Sequence, residues 1–201
     1  VRCTRIVLAS GSPRRYELLR SLGLDVEVAP TGYEEPRIAA LTPAELASAH
    51  ASEKLGRALQ LRGPSDGVPI LAADTVLDLD GDALGKPRDA REAAAMLARL
   101  SGRDHYVHTA FALAASEPHV RTDERATTRV RFYPLDPEEI AAYVATGEPF
   151  DKAGAYGIQG RAAALIESID GDFYTVMGLP LARFILALRR LGFELPDTNE
   201  R

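Results

Sequence analysis

The stretch "RIVLASGSPRRYELLRSLGLDVEVAP", residues 5–30, decides the fold class. Its first six residues form a short apolar run that ends in small side chains, the pattern of a buried strand. Ser12 is placed to cap a helix and Pro13 to take its first position, with Gly23 as the stop after Leu22. Residues 25–30 alternate, as a second strand does. Strand, helix and strand in direct succession predict an α/β protein. Two arginines, Arg14 and Arg15, fall in the first helical turn. A helix N-terminus carries roughly half a positive charge, so each cation there costs about 0.3–1 kcal/mol. Taken alone, the plainer reading is two solvated side chains. The alternative is an anion: the free N–H groups of the turn and the hydroxyls of Ser10 and Ser12 bind one readily, and guanidiniums clamp phosphate oxygens bidentately.

Outward from this stretch, Thr42 and Pro43 open a long helix that ends before the loop "RGPSDGVP". Residues 70–87, "ILAADTVLDLDGDALGKP", read as strand, tight turn and short return, with Asp80-Gly81 as the hairpin signal. Asp89 caps the next helix, which Ser101-Gly102 ends. Two longer strand-like runs, "DHYVHTAFALAA" and "HVRTDERATTRVRFYP", are joined at residues 116–118 and pair antiparallel. Residues 136–147 form a capped helix, residues 162–176 strand and turn, and residues 179–192 an apolar-striped closing helix. Strict βαβ alternation is absent, so the sheet is mixed. With no repeat, low-complexity tract or long linker, residues 1–201 form a single domain whose lobes share one sheet.

The chain has 201 residues, 46% of them hydrophobic, and a net charge of −5. Such a balance argues against a dedicated nucleic-acid binder, which needs a cationic surface. A single cysteine, Cys3, reads as a strand-edge residue, permits no intrachain disulfide and fits a reducing, cytoplasmic setting. No apolar run approaches the roughly 20 residues of a membrane span, and residues 1–8 lack a signal-peptide pattern.

Several residues could carry chemistry. On the alternation of "ILAADTVLDL", Asp74 shares a face with Ile70, Ala72 and Val76, where a carboxylate needs a partner, a metal or a cleft. An ordinary strand-end aspartate is the bland alternative, as a solvated loop is for Glu34 and Glu35. Lys86, in "LGKP", sits in a constrained loop from which an ammonium can reach a phosphate. The segment "FDKAGAYGIQG" repeats glycine every third position, at Gly154, Gly157 and Gly160, around the polar handles Asp151, Lys152 and Gln159. Such a loop brings backbone close to a ligand; otherwise it is a flexible connector. His105 and His108 face opposite sides of one strand, and His50 lies in a helix. No Walker A loop, Rossmann fingerprint, zinc spacing or G-x-S-x-G elbow is present. Carboxylates, cations and glycine turns suit Mg²⁺ or Mn²⁺ and a polyphosphate.

Together these segments resemble the Maf family of nucleoside triphosphate pyrophosphatases. The matching pieces are "LASGSPRRYELL", Glu35 in "YEEP", Lys54 in "SEKLGRA", "AADTVL", "LGKPRDAREAAAML", "LSGRDHYVHT", "YVATGEPFDKAGAYGIQG" and "GDFYTVMGLPL", in family order from Leu8 to about Leu181. "GDFYTVMG" and "TGYEEP" depart modestly from the usual family segments.

The resemblance implies an elongated mixed β-sheet with two α/β lobes flanking a nucleotide cleft, as in inosine triphosphate pyrophosphatases. It implies hydrolysis of a nucleoside triphosphate to the monophosphate and pyrophosphate, with a divalent cation (Mg²⁺, Mn²⁺ or Co²⁺), in a homodimer. Arg15, Thr75 and Gln159 match the branch that prefers dTTP and UTP. On this basis Asp74, Lys86 and Glu35 are catalytic, Glu35 and Asp74 hold the metal, and Ser10, Arg14, Arg15, Lys54, Thr75, Asp151, Lys152 and Gln159 bind substrate. Two alternatives share these residues: a nucleotide-binding regulator of cell division with little turnover, and a 7-methyl-GTP pyrophosphatase. Pyrophosphate release from UTP separates the enzyme from the regulator, and the 7-methyl-GTP enzyme differs only in base choice.

Overall fold

The computed structural model describes residues 1–62, 67–115 and 120–196. In chain order the elements are β1 (Arg5–Leu8), α1 (Pro13–Ser21), β2 (Asp25–Val28), α2 (Pro43–Arg62), β3 (Ile70–Leu79), β4 (Asp82–Leu84), α3 (Ala90–Leu100), β5 (Asp104–Ala114), β6 (Arg121–Phe132), α4 (Pro137–Val144), β7 (Ile166–Asp170), α5 (Phe173–Met177) and α6 (Leu181–Arg190). Three short 3₁₀ turns, Glu148–Asp151, Ala153–Ala155 and Gly160–Leu165, lie between α4 and β7.

One seven-stranded sheet, ordered β2-β1-β3-β5-β6-β7 with β4 also on β3, runs through the molecule. β1 is parallel to β2 and β3, while the pairings of β3 with β5, β5 with β6 and β6 with β7 are antiparallel. The sheet is therefore mixed, as the sequence predicts. The predicted joint at residues 116–118, His119 and residues 63–66 of the "RGPSDGVP" loop lie outside the described residues.

β3 explains why a cleft forms. Its first residues pair with β1 (Leu71 opposite Leu8) and its last with β4 (Leu77 opposite Leu84), on the same edge. Between these pairings, among the described residues, the edge around Asp74 and Thr75 has no neighbouring strand. The two faces of β3 also divide the core. Leu71 and Ala73 pack with Leu18 and Leu19 of α1 and Phe184 and Leu188 of α6. Farther along the same face, Leu77 and Leu79 pack with Leu97 of α3 and Ile140 of α4. The opposite face, with Ile70, Ala72 and Val76, is covered by Leu46, Ala47, Ala51, Leu55 and Ala58 of α2. Burial of these apolar side chains, at roughly 1.5–3 kcal/mol for each large one, holds the helices to the sheet.

Local signals mostly act as read. Asp80 and Gly81 both take positive φ (57° and 85°), the hairpin turn that Asp-Gly favours. Asp89 caps α3, and Asp136 with Glu139 forms a capping box on α4. Two readings need correction. Ser12 is the N-cap residue of α1, but its side chain makes no capping bond. Residues 162–176 begin in a 3₁₀ turn, not a strand, and continue past β7 into α5, where the Asp172 carboxylate accepts from the Thr175 amide at 2.6 Å.

Candidate active site

The unpaired stretch of β3 opens into a cleft of about 890 Å³ lined by the α1 N-terminus, the segment after β2, α2, the β4–α3 loop, the glycine-rich turns and the end of α5. All of Ser10, Arg14, Arg15, Glu35, Lys54, Asp74, Thr75, Lys86, Asp151, Lys152 and Gln159 line it. Residues from widely separated segments thus converge on one space, in two groups that face opposite sides of β3.

On the α2 side, Lys54 is buried and its ammonium donates to Asp74 Oδ1 at 2.7 Å, to Glu35 Oε1 at 2.5 Å and, longest, to the Ala73 carbonyl at 3.5 Å. An ammonium has three donors, so these contacts account for all of them. The resemblance assigns Lys54 to substrate binding; the structure places its ammonium between the two carboxylates. Asp74 is 4% exposed. Burial pushes its pKa above the ordinary aspartate value, the Lys54 charge opposing and the Glu35 charge adding to the rise. Glu35, half-exposed, goes the other way. Burial raises it, but the hydrogen bond and charge of Lys54 outweigh that and hold it below the usual carboxylate range.

On the other side, Arg15 acts as a strut. Its Nε donates to the Gly178 carbonyl (2.8 Å), Nη1 to Ser10 Oγ (2.9 Å) and Nη2 to Thr75 Oγ1 (3.1 Å). Thr75 continues the chain through Thr109 Oγ1 at 2.9 Å to the Thr175 carbonyl at 2.7 Å. Arg15 therefore ties α1 to β3 and to the end of α5. These bonds use three of its five N–H donors and leave two for the phosphate contact expected of it. Arg14 reaches across the cleft to Asp151 at 3.1 Å, and the same carboxylate accepts from Lys152 at 2.5 Å. Lys152 also donates to the Glu148 carbonyl at 2.6 Å. Burial raises the Asp151 pKa, and the two cations more than offset it.

Lys86 is exposed and makes no hydrogen bond or ion pair with a described residue, although its charge helps to lower Glu35. Gln159 precedes the last 3₁₀ turn, exposed, with no side-chain capping bond. Both are free to meet a ligand. Gly154 lets the turns sit this close: φ is +69°, and a Cβ there would lie 2.3 Å from Leu77 Cδ1.

A divalent cation fits the donor set. Among the described residues no three His, Cys, Asp or Glu side chains form a group that could hold a metal. Two carboxylates do converge, on the Lys54 ammonium that lies between them. Mg²⁺-type ions are commonly held by one or two carboxylates plus substrate phosphates and water. Sequence reasoning missed Tyr33 and His50, which also line the cleft and share a hydrogen bond of 3.0 Å. The signal available was the i, i+4 spacing of His50 and Lys54 on one helix.

The family model described as Maf-like protein matches residues 5–191. A dTTP/UTP pyrophosphatase of Symbiobacterium thermophilum is 50% identical over 191 residues, which cover 95% of this chain and 96% of its own. Another, of Thermus thermophilus, is 51% identical over 188 residues, 94% of this chain and 95% of its own. Among solved structures, the Staphylococcus aureus Ham1 protein is 14% identical at a TM-score of 0.44, covering 64% of this chain and 71% of its own. With a family match from β1 to the end of α6 and half of the residues shared with these two enzymes over nearly the whole length, the chain belongs to the Maf-like protein family.

Proposed function

We propose that this protein hydrolyses dTTP and UTP between the α- and β-phosphates, giving the nucleoside monophosphate and pyrophosphate, as a homodimer that uses a divalent cation. The observation that carries this reading is the buried Asp74 carboxylate, held by Lys54 at the open edge of β3 and facing a cleft rimmed with cations. Hydrolysis of a phosphoanhydride needs little covalent chemistry from the protein and is mainly positioning plus charge neutralisation. Arg14, Lys86 and Lys152 meet the triphosphate, and the free N–H groups at the start of α1 add hydrogen bonds. The substrate takes Asp151's place as the anion for Arg14 and Lys152. Asp74 accepts the proton of the attacking water, whose oxygen bonds to the α-phosphorus as the α–β bridge breaks and pyrophosphate leaves. A carboxylate whose pKa is raised is the better base, and such catalysis is typically worth 10²–10⁴-fold. Glu35 and Asp74 would hold the cation, which offsets negative charge on the phosphates. Gln159, an amide with both donor and acceptor, reads the O4/N3 edge of uracil or thymine.

The test is a nucleotide panel in ¹⁸O-water. UTP and dTTP yield pyrophosphate and ¹⁸O-labelled monophosphate. Label in orthophosphate, or faster turnover of 7-methyl-GTP, refutes the reading, and binding without turnover makes the protein a regulator.

A further inference from the structure

Glu35 belongs to an irregular segment, residues 29–42, that leaves β2 and arrives at α2. A carboxylate on such a segment is useful only if the segment is held, because a misplacement of about 1 Å can cost roughly 10²-fold in rate. The pair it makes with Lys54 does not hold it alone, since Lys54 is shared with Asp74.

What else holds it is Tyr33, two residues earlier. The Tyr33 hydroxyl meets Nδ1 of His50 at 3.0 Å, the two rings pack edge-on at 5.6 Å, and the Arg57 guanidinium lies over the tyrosine ring at 4.6 Å. His50, Lys54 and Arg57 stand at i, i+4 and i+7 on α2, one stripe of the helix. Two side chains of the segment thus dock on three successive positions of that stripe: Tyr33 on His50 and Arg57, Glu35 on Lys54. His50 is 2% exposed, so its ring is a fixed wall. On the far side of Glu35, Arg37 pairs with Asp82 of β4 at 2.8 Å.

We infer, on the reading that Glu35 serves the reaction, that Tyr33 is a positioning residue: through His50 and Arg57 it fixes Glu35 over Lys54 and Asp74. Tyr33 touches no reacting atom in this role, and its whole effect passes through Glu35.

A double-mutant cycle with a cleavage assay tests this. Tyr33→Ala lowers kcat/KM for UTP by about tenfold, the combined scale of a lost hydrogen bond and a lost cation–π contact. Tyr33→Phe keeps the ring over Arg57 and recovers part of that loss. In a Glu35→Ala background, Tyr33→Ala changes kcat/KM by less than about twofold, because the group it positioned is gone. The same tenfold loss in both backgrounds overturns the inference, since Tyr33 then acts on its own. The second arm needs no turnover. Arg37 is an exposed tryptic site inside the segment, and Tyr33→Ala accelerates cleavage there while the other sites keep their rates. Unchanged cleavage at Arg37 also overturns the inference. A wild-type protein that releases no pyrophosphate from UTP refutes the proposed function instead, and the cleavage arm still judges the role of Tyr33.

Discussion

At the scale of single residues, the site rests on two carboxylates made unequal by their surroundings. Asp74 is buried and its pKa is raised; Glu35 is half-exposed and its pKa is lowered. On the proposed mechanism Asp74→Asn keeps the shape and removes the base, so turnover of UTP falls at least a hundredfold. Nucleotide binding survives, measured by calorimetry; a variant with a tenth or more of the parent rate removes the base from Asp74. The coupling carries a sign. A neighbouring negative charge disfavours ionisation, and Glu35 is one cause of the raised value. The proposed base catalysis needs ionised Asp74, so on that mechanism activity is lost as pH falls through its pKa. Glu35→Gln therefore moves the acid limb of kcat/KM to lower pH, besides lowering its height. A limb that stays in place belongs to another group. The face of Asp74 was legible in the sequence, because a period of two with Ile70, Ala72 and Val76 admits one placement. Its partners were not. No local pattern says that an irregular segment folds back to bring Glu35 and Tyr33 onto α2, and Lys54 entered only through the resemblance.

At the scale of elements, glycine has opposite consequences at two positions. Gly154 lies at φ +69° with Leu77 Cδ1 only 2.3 Å from where a Cβ would stand. Gly154→Ala must push β3 away from the turns and hold a left-handed backbone, and it destabilises the fold by about 2–4 kcal/mol in urea unfolding. Gly56 lies within α2, and a Cβ on it would meet nothing within 4 Å. Gly56→Ala there stabilises by about 0.5–1 kcal/mol, the helix-propensity difference. The reverse order of these two would mean that the turns can move off β3 freely. Glycine spacing made the segment at residues 150–160 legible as a place of close backbone approach. Its division into 3₁₀ turns was not legible, because short turns carry no period. α5 escaped for the same reason: five residues span too little of a 3.6-residue repeat to show one, and only Asp172 marks its start.

At the scale of the molecule, the two apolar cores on one face of the sheet share β3 and β5, and between them runs the polar row of Arg15, Thr75 and Thr109. A sheet continuous through both lobes predicts that they unfold as one cooperative unit, so that a penalty in one is felt in both. His105 supplies such a penalty. It is buried among Phe132 and Tyr156 with Nε2 2.6 Å from the Tyr156 hydroxyl, and burial pushes its pKa down to about 4. An unfolded histidine titrates near 6.5, so between these values the unfolded chain binds more protons than the folded one. Stability is full above pH 6.5 and is lost as pH falls toward 4; by pH 5 the loss is about 2 kcal/mol. Urea unfolding at pH 7 and pH 5 measures it. His105→Gln lowers stability at both values but removes most of the difference between them. Hydrogen exchange locates the effect. The β1 amides, which pack in the core without His105, lose as much protection at pH 5 as those in the half of β5 beside His105. Loss confined to the His105 half would show that the polar row separates two independently unfolding lobes, and that the cleft lies at a seam the sheet does not hold closed.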